Sequence, residues 1–251
     1  MAIYLKKFKN HTQYENYING SGAILPNVSI CKTEGDAHYN PWVDPYGGHD
    51  YVEIAGLKWA TMNVGANSIT DTGLYFQWGD ISGYTGTGQK IFGWSDYKYN
   101  SGGTSPSAAD MTKYNEADGK TVLDASDDAV IANWGGKWRM PTIAEYDALG
   151  WAVNTAWTAD YQGSGVAGVI CTDKTDSSKV LFFPACGYCS NGRMWNVGEH
   201  GYYWTSSHFM DITQSSWFMN ACHLSFGDTY VSWGSSDGRQ EGYLVRGVAD
   251  E

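Results

Sequence analysis

The residues of this chain whose types could do chemistry crowd towards its C-terminal end. Its five cysteines are Cys31, Cys171, Cys186, Cys189 and Cys222. Cys186-Gly-Tyr-Cys189 has the spacing of a dithiol redox pair, which works from the start of a helix, where the helix dipole lowers a thiol pKa. Here the pair follows a β-like run, Val180 to Phe183, and precedes Ser190-Asn-Gly192, a turn. Zinc would need a second such pair or histidines at ligand spacing, and neither is present. The odd, scattered cysteine count is a poor disulfide framework. No G-x-S-x-G elbow, H-E-x-x-H pair or phosphate-cradling glycine loop in strand–helix context occurs, and Gly83-Tyr-Thr-Gly-Thr-Gly88 reads as a flexible loop. The sequence therefore predicts no catalytic residue, no metal and no cofactor.

What remains is the chemistry of binding. Between the segments Gly201-Tyr-Tyr-Trp-Thr-Ser-Ser207 and Gly242-Tyr-Leu-Val-Arg-Gly-Val248 lies an assortment of aromatic, polar and charged residues without a motif. The candidate ligand-binding set is Tyr202, His208, Phe209, Asp211, Phe218, Asn220, Cys222, His223, Asp228, Tyr230, Ser232, Trp233, Ser235, Ser236, Asp237, Arg239 and Glu241. Strand alternation gives the reason. If Trp217, Met219, Ala221 and Leu224 face a core, Phe218, Asn220 and Cys222 face out. If Val231 faces in, Tyr230 and Ser232 face out, and Trp233 between Ser232 and Gly234 has little nearby to bury it. Outward Tyr, Phe and Trp supply rigid contact area to a partner. Arg246, inside the closing strand, reads as a structural ion-pair partner.

Positioning such a face takes a framework. Residues 1–48 are read as a small segment of their own: a capping box at Thr12-Gln-Tyr-Glu15 starting a helix over about 13–19, a strand at 24–31 broken by Pro26, a second short strand, then a Pro/Gly linker. This segment is either a β-hairpin packed on the main domain or an attachment and oligomerisation element. The domain at 49–251 opens with two strands around Gly56, and residues 82–118 read as a long structured surface insertion. A helix is predicted from a Ser126 cap to about Asn133. Another starts at the capping box Thr142-Ile-Ala-Glu145, with Ile143, Tyr146 and Leu149 at core spacing. Short strands follow at 168–171, 180–183, 202–206, 217–224, 229–233 and 243–248, with Ser177-Ser178 turning a hairpin. Helices first and strands later make an α+β pattern with short antiparallel strands, two short helices and long loops.

Bulk properties narrow the function classes. Aromatic residues make up 15% of the chain and glycines number 31, against 17% charged, which favours turn-rich β structure with aromatic packing. A net charge of -11 argues against a nucleic-acid partner, because phosphate needs a basic field. No window is long and apolar enough for a membrane span. The N-terminal residues lack the pattern of a signal peptide, so release by lysis, rather than secretion, is the expected route to any outside site of action.

Three ordered motifs carry a resemblance: Trp134-Gly-Gly-Lys-Trp-Arg-Met-Pro-Thr142 with its helix, Tyr203-Trp-Thr-Ser-Ser207, and Gly242-Tyr-Leu-Val-Arg246. With the opening run Tyr51 to Gly65, they resemble the Fibrobacter succinogenes major paralogous domain family, over roughly 50–248. The resemblance implies a C-type-lectin-like fold. It also implies kinship with the variable proteins of diversity-generating retroelements, in which selected C-terminal codons are rewritten while the scaffold stays fixed. On that reading the variable region is about 186–241, the anchors are scaffold and the residues between them are free to change. The first 40 or so residues resemble, more weakly, N-terminal segments of gut-bacterial phage structural proteins. Together these imply a receptor-binding protein on a phage tail or a cell surface, recognising a protein or glycan ligand on a bacterial surface. A homotrimer is implied only by analogy with phage tip proteins.

Rival functions belong to other classes. The same fold includes the formylglycine-generating oxidases, whose closing segment carries reactive cysteines. Here Gly238 to Val248 contains none. A calcium lectin needs a Pro-flanked carboxylate loop and a Trp-Asn-Asp strand, and neither occurs, although glycan binding without calcium stays open. A structural subunit without a ligand is the third reading.

Overall fold

The structure, a computed structural model, describes residues 46–86, 88–209 and 219–250. The chain divides into two units, Met1–His49 and Asp50–Glu251. The elements expected at 12–41, and the candidates Asp211 and Phe218 with the core residue Trp217, lie outside the described residues.

The second unit is a mixed fold, mostly strand with little helix, built from small antiparallel sheets. The hairpin expected around Gly56 forms from Tyr51–Ile54 (β1) and Leu57–Asn63 (β2). Trp138–Arg139 (β3) and the closing strand Arg246–Ala249 (β12) complete a sheet of order β1-β2-β12-β3. The start and end of the domain therefore pair directly, Val248 opposite Trp59.

Two helices are capped as helix-start chemistry requires, one of them not where the sequence suggested. Ala129–Trp134 (α1) is capped by Asp128, not Ser126. Asp128 Oδ1 accepts from Val130 N at 2.8 Å and Ile131 N at 3.0 Å, while Oδ2 accepts from Met140 N at 2.8 Å. Ser126 falls instead in a 3-10 turn, Ala125–Asp127. A carboxylate offers two acceptor oxygens, so Asp128 can cap the helix and tie it to β3, which a serine hydroxyl could not. Ile143–Ala152 (α2) begins with the expected capping box, Thr142 and Glu145 exchanging hydrogen bonds. Tyr146 and Leu149 of α2 are fully buried.

Val153–Thr158 (β4), Gly168–Asp173 (β5) and Val180–Pro184 (β6) form one antiparallel sheet. Tyr188–Ser190 (β7) and Arg193–Trp195 (β8) form a separate hairpin. Gly201–His208 (β9), Asn220–Phe226 (β10) and Val231–Gly238 (β11) make the sheet that carries most candidate residues, with β10 central. One face of that sheet joins the core with Tyr203, Leu224 and Phe226, against Tyr146, Leu149, Phe183 and Val248.

Arg246 anchors this core. It is fully buried, donating from Nε to Asn63 Oδ1 at 2.9 Å and from its terminal nitrogens to the carbonyls of Ala60, Thr61 and Phe182 at 2.8 to 3.1 Å. Its guanidinium carbon lies 4.7 Å from the Phe183 ring centre. The expected ion pair is thus replaced by carbonyl bonds and aromatic contact, which join β12 to β2 and β6, three separate segments of chain.

The stretch 82–118 is more than surface. Phe92, Tyr97, Met111 and Tyr114 are buried in it. Asp127 accepts from Lys98 at 3.1 Å and from the Tyr114 hydroxyl at 2.6 Å, pinning the insertion to the start of α1. Among the described residues no helix is long and apolar enough to cross a membrane.

Candidate ligand-binding face

Irregular pairing shapes the β9–β10–β11 sheet. His223 pairs with Ser235 and Ser225 with Ser232, so Trp233 and Gly234 on β11 stand opposite Leu224 alone. On the other edge Ala221 pairs with His208 and His223 with Trp204, so β9 also carries extra residues. Bulges re-aim side chains and sharpen twist, and these two flank His223.

The bulge on β11 turns Trp233 towards α2. Its ring lies 6.5 Å from that of Tyr146 and sits over Gly150, where an added Cβ would come within 2.6 Å of the indole. Trp233 is therefore half-buried against the helix and does not belong to the exposed set. Cys222 is likewise a correction: it is 7% exposed in the central strand, so the expected outward position fails. Burial, with the Asp147 charge adding to it, pushes its thiol up to about 11. Arg239 is a third correction. It is fully buried, its Nη1 donating to the carbonyls of Lys113 and Tyr114, its guanidinium carbon 5.6 Å from both the Trp78 and Tyr97 rings. The insertion at 82–118 supplies most of that cage, so Arg239 locks the frame. His208, at 5% exposure, packs its ring 5.5 Å from Trp78 and is also inside. Phe209, Asn220 and Ser236 are half-buried along the sheet end, and Asp228 is exposed in the β10–β11 turn.

The remaining candidates come together on the face away from the core. Val231 packs against the core, and Tyr230 and Ser232 flank it, as alternation requires. Ser225, Ser232 and Ser235 join hydroxyls across β10 and β11 at 2.8 to 3.0 Å. Beside them stand Tyr202, His223, Asp237 and Glu241. Three residues that the sequence reading did not single out as candidates complete the group: Tyr188, His200 and Tyr243. The Tyr202 ring lies 4.9 Å from Tyr188, 5.1 Å from Tyr243, 6.1 Å from His223 and 6.3 Å from His200. His200 is in turn 5.9 Å from Tyr230. Tyr243 stacks on Trp204 at 4.2 Å and donates its hydroxyl to Asp237 Oδ2 at 2.8 Å. Asn196 donates to the Tyr202 hydroxyl at 3.0 Å.

A sequence signal for Tyr188 existed in the Ser190-Asn191-Gly192 turn. Asn191 and Gly192 both take positive φ, 47° and 76°, the requirement of a two-residue hairpin turn. That hairpin puts Tyr188 opposite Trp195 and beside Tyr202.

The electrostatics of the face are unbalanced. Burial, with the Asp237 charge adding to it, pushes Glu241 up to about 7. Burial pulls His223 down to about 4, against the opposing pull of Asp237. Burial and the same carboxylates raise Tyr188 and Tyr243 above the ordinary tyrosine value. Among the described residues neither Asp237 nor Glu241 has an ion-pair partner. Glu241 Oε2 and His223 Nδ1 are buried atoms without a hydrogen-bond partner.

Elsewhere, a cleft of about 520 Å³ lies between Asp50, Thr61–Met62, 67–70 and the 161–164 turn, and contains none of the candidate residues. The thiols of Cys171 and Cys189 are each pushed up to about 12 by burial, which disfavours the reactive thiolate at neutral pH.

No protein-family model, curated protein or solved structure matches the chain.

Proposed function

We propose that residues 49–251 form a ligand-recognition domain of C-type-lectin-like fold. Its binding face is the outward side of the β9–β10–β11 sheet, bordered by the β7–β8 hairpin. In this reading the protein is a receptor-binding protein, on a phage tail or a cell surface, that recognises a protein or glycan on a bacterial surface. Its variable region spans about 186–241. One observation carries the reading. A single sheet has one face locked into the core and another displaying aromatic, hydroxyl and carboxylate groups that its own fold leaves partly unpartnered. A rigid backing holds those groups in place before a ligand arrives and limits the entropy lost on binding.

The division between fixed and free residues fits the diversification idea. Tyr203, Trp204, Thr205, Leu244, Val245 and Arg246, from the two anchoring motifs, are all buried. Tyr230, Asp228 and Asp237, between the motifs, are exposed. Cys222, Trp233 and Arg239 belong with the scaffold under this proposal, so they are expected to be constant.

The test is to sequence sibling copies from one source. Differences concentrated at Asp228, Tyr230, Ser232, Ser235 and Asp237 support the proposal. Differences spread evenly over 50–248, or concentrated at Trp233 and Arg239, contradict it.

A further inference from the structure

The geometry points to a subsite for an organic cation, the guanidinium or ammonium of an Arg or Lys side chain on a protein partner, among Tyr188, Tyr202, Asp237 and Glu241. It rests on the proposal that this face binds ligand, and adds the chemistry of what enters.

The aromatic part comes first. Tyr188 and Tyr202 are half-buried, with rings 4.9 Å apart at an interplanar angle of 62°, and Tyr243 closes the floor at 5.7 and 5.1 Å from them. The three rings pack against one another, so a cation would meet the outer π faces of the half-buried Tyr188 and Tyr202, in the volume above them. Two carboxylates border the same volume. Asp237 is exposed and holds the Tyr243 hydroxyl, and Glu241 is half-buried with Oε2 unpartnered. Among the described residues no Lys or Arg forms an ion pair with either; Arg239, nearest in sequence, turns its Nη1 to the Lys113 and Tyr114 carbonyls.

An independent observation lies at the base. His223 is 3% exposed, its Nδ1 is unpartnered, and its ring is 5.0 Å from Tyr243 and 6.1 Å from Tyr202, on the face with Asp237. A buried polar atom without a partner is costly and persists where something else compensates. A donor-rich cation would relieve the repulsion between the two carboxylates. The rim suits a protein partner, because Trp195 and Val197, 44% and 59% exposed, offer apolar area next to Tyr188. A neutral sugar would gain ring contacts here but would leave both charges unanswered.

The test uses the full chain and three probes: the amide of Gly-Arg-Gly, the same peptide with citrulline in place of arginine, and a neutral methyl glycoside. Binding is followed by NMR shifts. The expected result is a saturable shift at Tyr188 and Tyr202 with the arginine peptide, about tenfold weaker binding of the uncharged citrulline peptide, and a comparable loss in the Asp237→Asn/Glu241→Gln variant. The substitutions are nearly isosteric, and an unchanged melting curve checks that the fold survives. Absence of saturable arginine binding, equal affinity for citrulline, preference for the glycoside, or a variant that binds like the parent each overturns the inference. If the full chain still adheres to a bacterial surface through Tyr202 and Tyr230 while the arginine peptide fails, the cation subsite falls and the binding face stands.

Discussion

The two faces of the β9–β10–β11 sheet are made by the same strands and obey different rules. On one face Tyr203, Leu224 and Phe226 are at most 1% exposed and join a continuous core. On the other, Tyr202, Ser232, Ser235 and Asp237 keep contact with solvent, and His223 and Glu241 hold unpartnered atoms. The first face is where folding energy is collected. The second is left incomplete, which is what a site awaiting a ligand requires. Under the proposed function, the sheet's stability and its ligand binding can therefore be altered separately.

Substitutions can break that separation or sharpen it. The largest effect is expected inside. Phe226→Ala removes a ring stacked on Tyr203 at 6.0 Å and should cost about 3–5 kcal/mol in denaturant unfolding. Arg246→Met would strip hydrogen bonds from Asn63, Ala60, Thr61 and Phe182 and should cost about 2–3 kcal/mol. A loss below about 0.5 kcal/mol for either would show that the inner face is not the frame. On the outer face, Tyr202→Ala should cost only about 1–2 kcal/mol of stability and weaken ligand binding tenfold or more.

A smaller effect is a pH signature of two opposed groups. Glu241, raised from 4.5 to about 7, binds its proton more tightly folded than unfolded, so its contribution to stability falls as pH rises between those values. His223, lowered from 6.5 to about 4, does the reverse, and its contribution rises over that span. The two slopes largely cancel from about 4.5 to 6.5 in the parent. Glu241→Gln should unmask rising stability over that range in a pH series of melts. A parent and variant with identical profiles would refute the burial assigned to Glu241. Smallest of all, Asp228→Ser in the exposed turn should change stability by less than about 0.5 kcal/mol.

Local chemistry made parts of this arrangement legible in the sequence. The Thr142–Glu145 capping box, the β5–β6 hairpin and the alternation around Val231 depend on neighbours in the chain, and each formed as read. The misreadings at Trp233, Cys222 and Arg239 have one cause. Each was judged by its flanking residues but is buried by distant segments: Trp233 by α2, Cys222 in the central strand within reach of Asp147 on α2, and Arg239 by the insertion at 82–118. A bulge compounded the error at Trp233, since one extra residue on β11 disturbs a period of two. Tyr188, His200 and Tyr243 were missed because a site assembled from four separate segments leaves no spacing to recognise.

The separation of the two faces is tested most directly by adhesion. Fluorescently labelled full chain would be titrated onto a panel of bacterial cells, beside a Tyr202→Ala/Tyr230→Ala variant and a Trp151→Ala control. Trp151 lies on α2, is 83% exposed and belongs to neither face. The account predicts saturable binding to at least one strain, lost in the double variant and kept in the control, with all three proteins folded. Binding unaffected by the double substitution, or abolished by Trp151→Ala, would contradict it.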